Sequence, residues 1–161
     1  MTGLLDLLQE FHREKLAMLL RHEASAGLLS QYDTNNTYQY VIAREDVQLS
    51  WVAQAIRELD GSPVDAVDAG RQRPGQAPTA AQAVLEADAR DAQAFVDRWR
   101  SRVDAMSHAR HRGMLLVILG EVLEQKRFFE QALAGRTDLL GRRANQPEPA
   151  QGEVLPTRWI E

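Results

Sequence analysis

Four stretches of the chain carry apolar residues spaced three and four apart, which is the spacing that places side chains on one face of an α-helix. The inward positions predicted for the first two helices are Leu5, Leu8, His12, Leu16, Leu19, Glu23 and Ala26, then Tyr38, Val41, Glu45, Leu49, Val52, Ile56 and Leu59. Those of the last two are Val84, Asp88, Asp91, Phe95, Trp99, Val103 and Met106, then Met114, Val117, Glu121, Gln125, Phe128 and Ala132. The pattern predicts an all-α protein built as a four-helix bundle.

The first helical hairpin is bounded by recognisable turn residues. Helix 1 is expected to run from Leu4 to Leu29, and the polar residues 31–37 supply a turn and a cap for helix 2. Helix 2 is expected to extend to Leu59, because residues 60–63 read Asp-Gly-Ser-Pro and stop a helix.

The second hairpin follows a long break. Residues 62–78 contain three prolines, so we expect a crossover loop longer than a simple turn needs. Thr79-Ala-Ala-Gln82 has the form of a capping box that opens helix 3, which is expected to end near Ser107. Helix 4 is expected to begin within residues 108–113 and to end at Gly135. We therefore predict two hairpins joined by a crossover in a domain of residues 1–141, followed by an extended, proline-containing tail of residues 142–161.

Composition excludes several classes of protein. The chain of 161 residues has no cysteine, which removes disulfide frameworks and thiolate metal sites and favours a cytoplasmic location. Its net charge is −4 with mixed signs and no long basic cluster, so we do not expect nucleic-acid binding. We also expect neither a secretory signal nor a membrane span.

Carboxylates interrupt all four apolar stripes, although a buried carboxylate costs several kcal/mol unless it is paired, protonated or bound to a metal. In three of the helices a second oxygen donor follows an acid by three residues, which lets both reach one ion. The sequence therefore offers a carboxylate-rich di-metal site between the helices, with the candidate ligands Glu23, Glu45, Gln48, Asp88, Asp91, Glu121 and Glu124.

This arrangement over residues 4–135 resembles the ferritin-like superfamily, especially its rubrerythrin and bacterioferritin branches. Residues 43–61 are similar to the second helix of many small members. The resemblance implies two irons between the helices and ferroxidase- or peroxidase-like chemistry in metal oxidation or oxidative-stress handling. Gln48 and Glu124 stand where that family has histidines, and an all-carboxylate site favours manganese as the alternative metal.

The same residues allow a metal-free reading, in which the bundle is an interaction or assembly module. Its inner acids would then pair with arginines such as Arg44, Arg90, Arg98 or Arg127. Without metal, crowding and desolvation are expected to raise the pKa values of some of the inner carboxylates, so that stability is lost as the pH rises through those values.

The histidines and aromatic residues receive simpler assignments. His12 lies on the inner stripe of helix 1, and His108 and His111, near the turn between helices 3 and 4, are expected to cap a helix or face solvent. A slight rotation of helix 1 would bring His22 beside Glu23. Helical spacing places the larger aromatic residues in the core: Trp51, Phe95, Trp99, Phe128 and Phe129.

The tail carries an apolar cluster, Leu155, Trp159 and Ile160, after a proline-containing linker. Residues 152–161 could dock on a protein partner, because a tether with a few anchors suffices for binding in a groove. They could equally fold back on their own bundle or on a second copy of the chain. We expect a homo-oligomer, a dimer or larger.

Overall fold

The part of the chain that the structure describes forms four helices packed side by side. The computed structural model describes residues 3–67, 80–136, 139–140, 152 and 154, and these ranges contain no strand. The helices are α1 (Leu4–Ala26), α2 (Tyr32–Glu58), α3 (Ala80–Asp104) and α4 (Ala109–Leu133). The predicted all-α four-helix bundle is confirmed. None of these helices combines the length and the apolar character needed to cross a membrane.

Ion pairs between the hairpins define the direction of each helix. Residue numbers that increase along α1 pair with residue numbers that decrease along α3. The pairs are Glu10 with Arg102 at 2.7 Å, Glu14 with Arg98 at 2.8 Å and Arg21 with Asp91 at 3.3 Å. Helix α3 is therefore antiparallel to α1, and α2 and α3 run in the same direction. The predicted crossover and the Thr79 capping box fall largely on residues 68–79, outside the described residues.

The start of α2 corrects the prediction, since residues 32–37 are helical rather than a turn. The Gln31 side chain caps the helix by accepting a hydrogen bond from the Thr34 amide at 2.8 Å. Polar side chains inside this first segment also have partners: Asn35 donates to the Ala26 carbonyl at 3.1 Å, and Thr37 donates to the Asp33 carbonyl at 2.9 Å. Because these groups are satisfied, one within α2 and one at the end of α1, their polarity does not break the helix.

Helices α2 and α3 present nearly the predicted faces, but α1 and α4 are rotated by about one residue. On α1, Phe11, Lys15, Met18 and His22 face inward, and Glu23 is only half-buried. Phe11 explains this rotation, because its ring packs 5.3 Å from that of Phe95 and 4.9 Å from that of Trp99 between centroids. On α4, the predicted core residue Val117 is 53% exposed, and the buried apolar residues are Leu115, Ile118, Leu119, Val122 and Phe129.

Two of the other predicted core aromatics are also less buried than expected. Trp51 on α2 is 37% exposed, and Phe128 on α4 is half-buried. Both side chains lie along the boundary between α2 and α4, where Tyr40 contacts Phe128 with ring centroids 6.1 Å apart. This boundary is therefore the side of the bundle on which apolar groups reach solvent.

The end of α2 confirms the predicted stop. Asp60 has the positive φ of 59°, and the Gly61 amide donates back to the Ile56 carbonyl at 3.0 Å. Gly61 also lies directly against α1, so that a Cβ added there would be 2.4 Å from Leu5 Cδ1. The turn and the first helix are thus packed with no room for a side chain.

We expect Gly61→Ala to destabilise the protein by about 1–3 kcal/mol, because the added methyl overpacks the contact with Leu5. Gly120→Ala is the matched control, since a Cβ at this mid-helical position meets nothing within 4 Å. It should stabilise the fold by about 0.5–1 kcal/mol through helix propensity. Urea denaturation of both variants measures the difference, and equal effects of the two would contradict the packing argument.

Candidate functional site

Five polar side chains from three helices meet inside the bundle, and we refer to them as the core polar cluster. They are Lys15 and His22 of α1, Tyr38 and Glu45 of α2, and Asp88 of α3, and none is more than 1% exposed. Residues seven apart on α1 and on α2 share a face, so each of these two helices directs a pair of polar groups inward. The cluster therefore arises from regular helix geometry.

Glu45 is at the centre of the core polar cluster and receives two partners. Lys15 Nζ lies 3.1 Å from Glu45 Oε2, and His22 Nδ1 contacts Glu45 Oε1. The Lys15 ammonium is also 3.7 Å from Met18 Sδ and 5.9 Å from the centre of the Phe95 ring. Both oxygens of the carboxylate are therefore engaged by the protein itself.

His22 links Glu45 to the second buried acid. Its Nε2 lies 4.0 Å from Asp88 Oδ1, and Tyr38 donates its hydroxyl hydrogen to Asp88 Oδ2. The cluster thus sets two buried acids, Glu45 and Asp88, against two basic side chains, Lys15 and His22. Such balance is needed because an uncompensated charge in a protein interior is strongly destabilising.

The surroundings of Glu45 set its acidity. Burial alone raises the pKa of the Glu45 carboxyl, but the nearby His22 and Lys15, with their hydrogen bonds, outweigh that effect and hold the pKa below its ordinary value. Glu45 is therefore not one of the inner carboxylates whose pKa is raised. His22 and Lys15, the basic partners that lower its pKa, lie on a line of α1 that the predicted stripe did not include.

A second set of polar side chains lies between α2 and α4. Arg44 contacts Glu121 Oε1 at 2.5 Å through Nη2 and at 3.2 Å through Nε, and Gln48 donates to Glu121 Oε2. The Oε1 atom of Gln48 and both amide atoms of the neighbouring Gln125 are buried without a hydrogen-bond partner among the described residues. These amide atoms beside Glu121 are therefore among the buried polar atoms that remain available to a bound group.

The predicted metal ligands are thus distributed over several settings. Glu45 and Asp88 meet through His22, and Gln48 meets Glu121, whereas Asp91 pairs with Arg21 at 3.3 Å. Glu124 is exposed and lines a surface cavity of about 350 Å³ on α4. Within the described ranges, no group of three or more histidine and carboxylate side chains is arranged to hold a metal ion.

The remaining histidines differ in their roles. His108 caps α4 as predicted, with its Nδ1 accepting from the His111 amide at 3.3 Å. His12 is only 5% exposed, in keeping with its position on the predicted inner stripe, whereas His111, also 5% exposed, does not face solvent. Desolvation, with nearby cationic groups, lowers the pKa of both imidazoles. They are therefore buried in the neutral form.

Sequence reasoning missed Lys15 and the role of the Tyr38 hydroxyl. Phe11, Lys15, Met18 and His22 follow the same spacing of three and four as the stripe that was preferred. Spacing alone therefore does not decide between the two lines. The signal that could have identified the line through Lys15 was a basic residue on one inner face opposite an acid, Glu45, on the next.

Comparison with known proteins adds no identification. No protein-family model matches the chain, and neither the curated proteins nor the solved structures include a match. The interpretation of the site therefore depends on its own geometry, and the ferritin-like resemblance stays an interpretation of the sequence.

Acidification should test the Glu45 pairing. A carboxyl group with a lowered pKa in the folded state stabilises the protein above its unfolded pKa, near 4.5, and this contribution is lost as the pH falls through the folded-state value. We expect the difference in unfolding free energy between the wild type and Glu45→Gln to shrink as the pH is lowered from neutral into that acidic range. Chemical denaturation across the pH series measures it.

Glu10→Gln is the control for that series, because Arg102 also lowers the pKa of Glu10 but this pair is on the surface. Salt should screen the Glu10 contribution and leave that of buried Glu45 nearly unchanged. A Glu45 contribution that grows toward acidic pH would show that the direction assigned to its pKa is wrong.

Proposed function

We propose that this chain is a ferritin-like four-helix bundle whose core charges are balanced by its own side chains, and that it serves as an interaction or assembly module. The observation that carries the proposal is the buried pair of Lys15 Nζ and Glu45 Oε2, 3.1 Å apart. The ferritin-like resemblance assigns Glu45 to a metal. Here an ammonium group takes the place of that metal as the partner of the carboxylate.

The contacts of Glu121 support the same conclusion. This second candidate ligand is held by the Arg44 guanidinium and the Gln48 amide, so a protein cation again neutralises an acid that the resemblance assigns to a metal. The shared direction of α2 and α3 supports a connection that crosses the bundle, as in the ferritin-like fold. The absence of cysteine from the sequence is in keeping with a cytoplasmic location.

The interaction role is supported by apolar groups on the outside of α2 and α4. Tyr40, Val47 and Trp51 of α2 and Val117 of α4 are between 36% and 53% exposed, and we call them the α2–α4 stripe. Exposed apolar residues scattered singly need no explanation, but a row along one side of a helix pair offers a surface on which an apolar segment can pack.

The alternative function is a di-metal protein with iron or manganese and ferroxidase- or peroxidase-like activity. It is favoured by the buried oxygen atoms Gln48 Oε1 and Gln125 Oε1, which have no hydrogen-bond partner among the described residues and lie on helices that also carry Glu45 and Glu121. Binding of a cation by Glu45 would require Lys15 to withdraw from it. The two proposals therefore differ in what happens when metal is added.

We expect Fe²⁺ or Mn²⁺ to leave the melting temperature of the wild type unchanged, whereas a ligand at 100 times its dissociation constant would add about 2.7 kcal/mol. Lys15→Met should cost about 3–5 kcal/mol, because it leaves buried Glu45 without its ammonium partner. Mn²⁺ should then restore part of that loss, since a cation can take the vacated place. Calorimetry with and without metal measures both effects.

Lys126→Met is the matched control, because Lys126 pairs with Glu130 at 3.3 Å on the surface. It should cost no more than about 1 kcal/mol and should not respond to metal. A metal-dependent rise in the melting temperature of the wild type would overturn the proposal and favour the di-metal alternative.

A further inference from the structure

The α2–α4 stripe forms one continuous row rather than isolated positions. Val47 and Trp51 follow Tyr40 by seven and eleven residues, so the three side chains lie on the same face of α2. Gln48 and Arg44 both contact Glu121 of α4, which places Val117, one turn before Glu121, beside Trp51. At the other end of the row, Tyr40 contacts Phe128. Tyr40 lies about two turns after the first residue of α2, and the row begins there.

The C-terminal part of the chain returns to that start. Gly152 lies so close to the ring of Tyr32, the first residue of α2, that an added Cβ would be 2.5 Å from Tyr32 Cε2. Val154 is half-buried. The chain is therefore anchored at the end of α2 from which the stripe extends, and a glycine is required for this close approach.

The remaining length and chemistry of the chain match the stripe. Residues 155–160, which lie outside the described residues, include the apolar Leu155, Trp159 and Ile160. An extended chain advances about 3.3 Å per residue, so Trp159 can reach about 23 Å beyond Gly152. Helix α2 rises about 1.5 Å per residue and therefore covers a similar length between Tyr32 and Val47.

We propose that residues 155–160 dock on the α2–α4 stripe of their own chain, with Trp159 packing near Val47 and Trp51. The stripe is then an internal binding surface whose first occupant is the C-terminus, and any other partner must displace it. The proposal uses the interaction surface named above and does not depend on the metal response of the core, so the two can fail separately.

The size of the stripe favours a tethered segment over a second copy of the chain. Its four partly exposed side chains present on the order of 300 Å² of apolar surface, which a monomer ordinarily carries. A stable interface between two proteins needs roughly 800 Å² from each partner. A segment anchored at Gly152 instead has an effective concentration of about millimolar, so a few apolar contacts suffice to hold it.

Fluorescence quenching by acrylamide tests the proposal in a Trp159→Phe background. Trp51 and Trp99 then remain, and Trp99 is fully buried, so quenching reports on Trp51. We expect truncation after Arg143 to increase the quenching constant at least about twofold, because a segment at millimolar effective concentration is mostly bound. The full-length Leu155→Ser/Ile160→Ser variant in the same background should give the same increase without shortening the chain.

The helical circular dichroism signal identifies any variant that fails to fold. If the truncated chain does not fold, the comparison uses the full-length serine variant alone. Equal quenching of Trp51 in all folded forms overturns the proposal. Protection of Trp51 that disappears on dilution, together with a dimer in light scattering, also overturns it, because a second copy then covers the stripe. Concentration-independent protection in a monomer supports it.

Discussion

The burial of a carboxylate at Glu45 is the constraint on which the arrangement of the bundle depends. A charge placed away from water must be compensated within hydrogen-bond distance, and here the compensation comes from Lys15 and His22 on the neighbouring helix. These contacts fix both the rotation of α1 and its height against α2. The aromatic packing of Phe11 against Trp99 uses the same rotation, so that polar and apolar contacts favour a single register.

The electrostatics of the core and of the surface have different physical roles. The ion pairs of Glu10 with Arg102 and Glu14 with Arg98 are partly exposed, and pairs of this kind add little stability but favour one antiparallel alignment of α1 and α3. Arg102 also stacks 4.1 Å above the ring of Trp99, which joins this surface row to the aromatic core. The inner charges, by contrast, cannot be separated without a large loss.

Periodicity in the sequence was sufficient to predict four helices, the stop at Asp60 and the inner faces of α2 and α3. It was insufficient for the phase of α1, because a line through Lys15 and one through Leu16 have equal spacing and only the partner helix decides between them. On α4 the run of apolar residues 114–119 surrounds the helix, so the pattern alone does not identify the buried side. The site was predicted in part. Glu45 and Asp88 were recognised as inner acids and Tyr38 as an inner residue, but Lys15 and His22 lie on the line of α1 that periodicity did not select.

The balance of two acids and two basic groups in the core polar cluster limits how such a sequence can change over time. Loss of Lys15 alone, or of Glu45 alone, leaves an unpaired charge in the interior. A protein that carries only one of the two substitutions therefore folds poorly. Exchange of the pair for apolar residues therefore requires nearly simultaneous changes on neighbouring helices. Among homologues, Lys15 and Glu45 should be either both present or both absent. This joint pattern would separate homologues whose buried acid is balanced by a lysine from homologues whose core is built in another way.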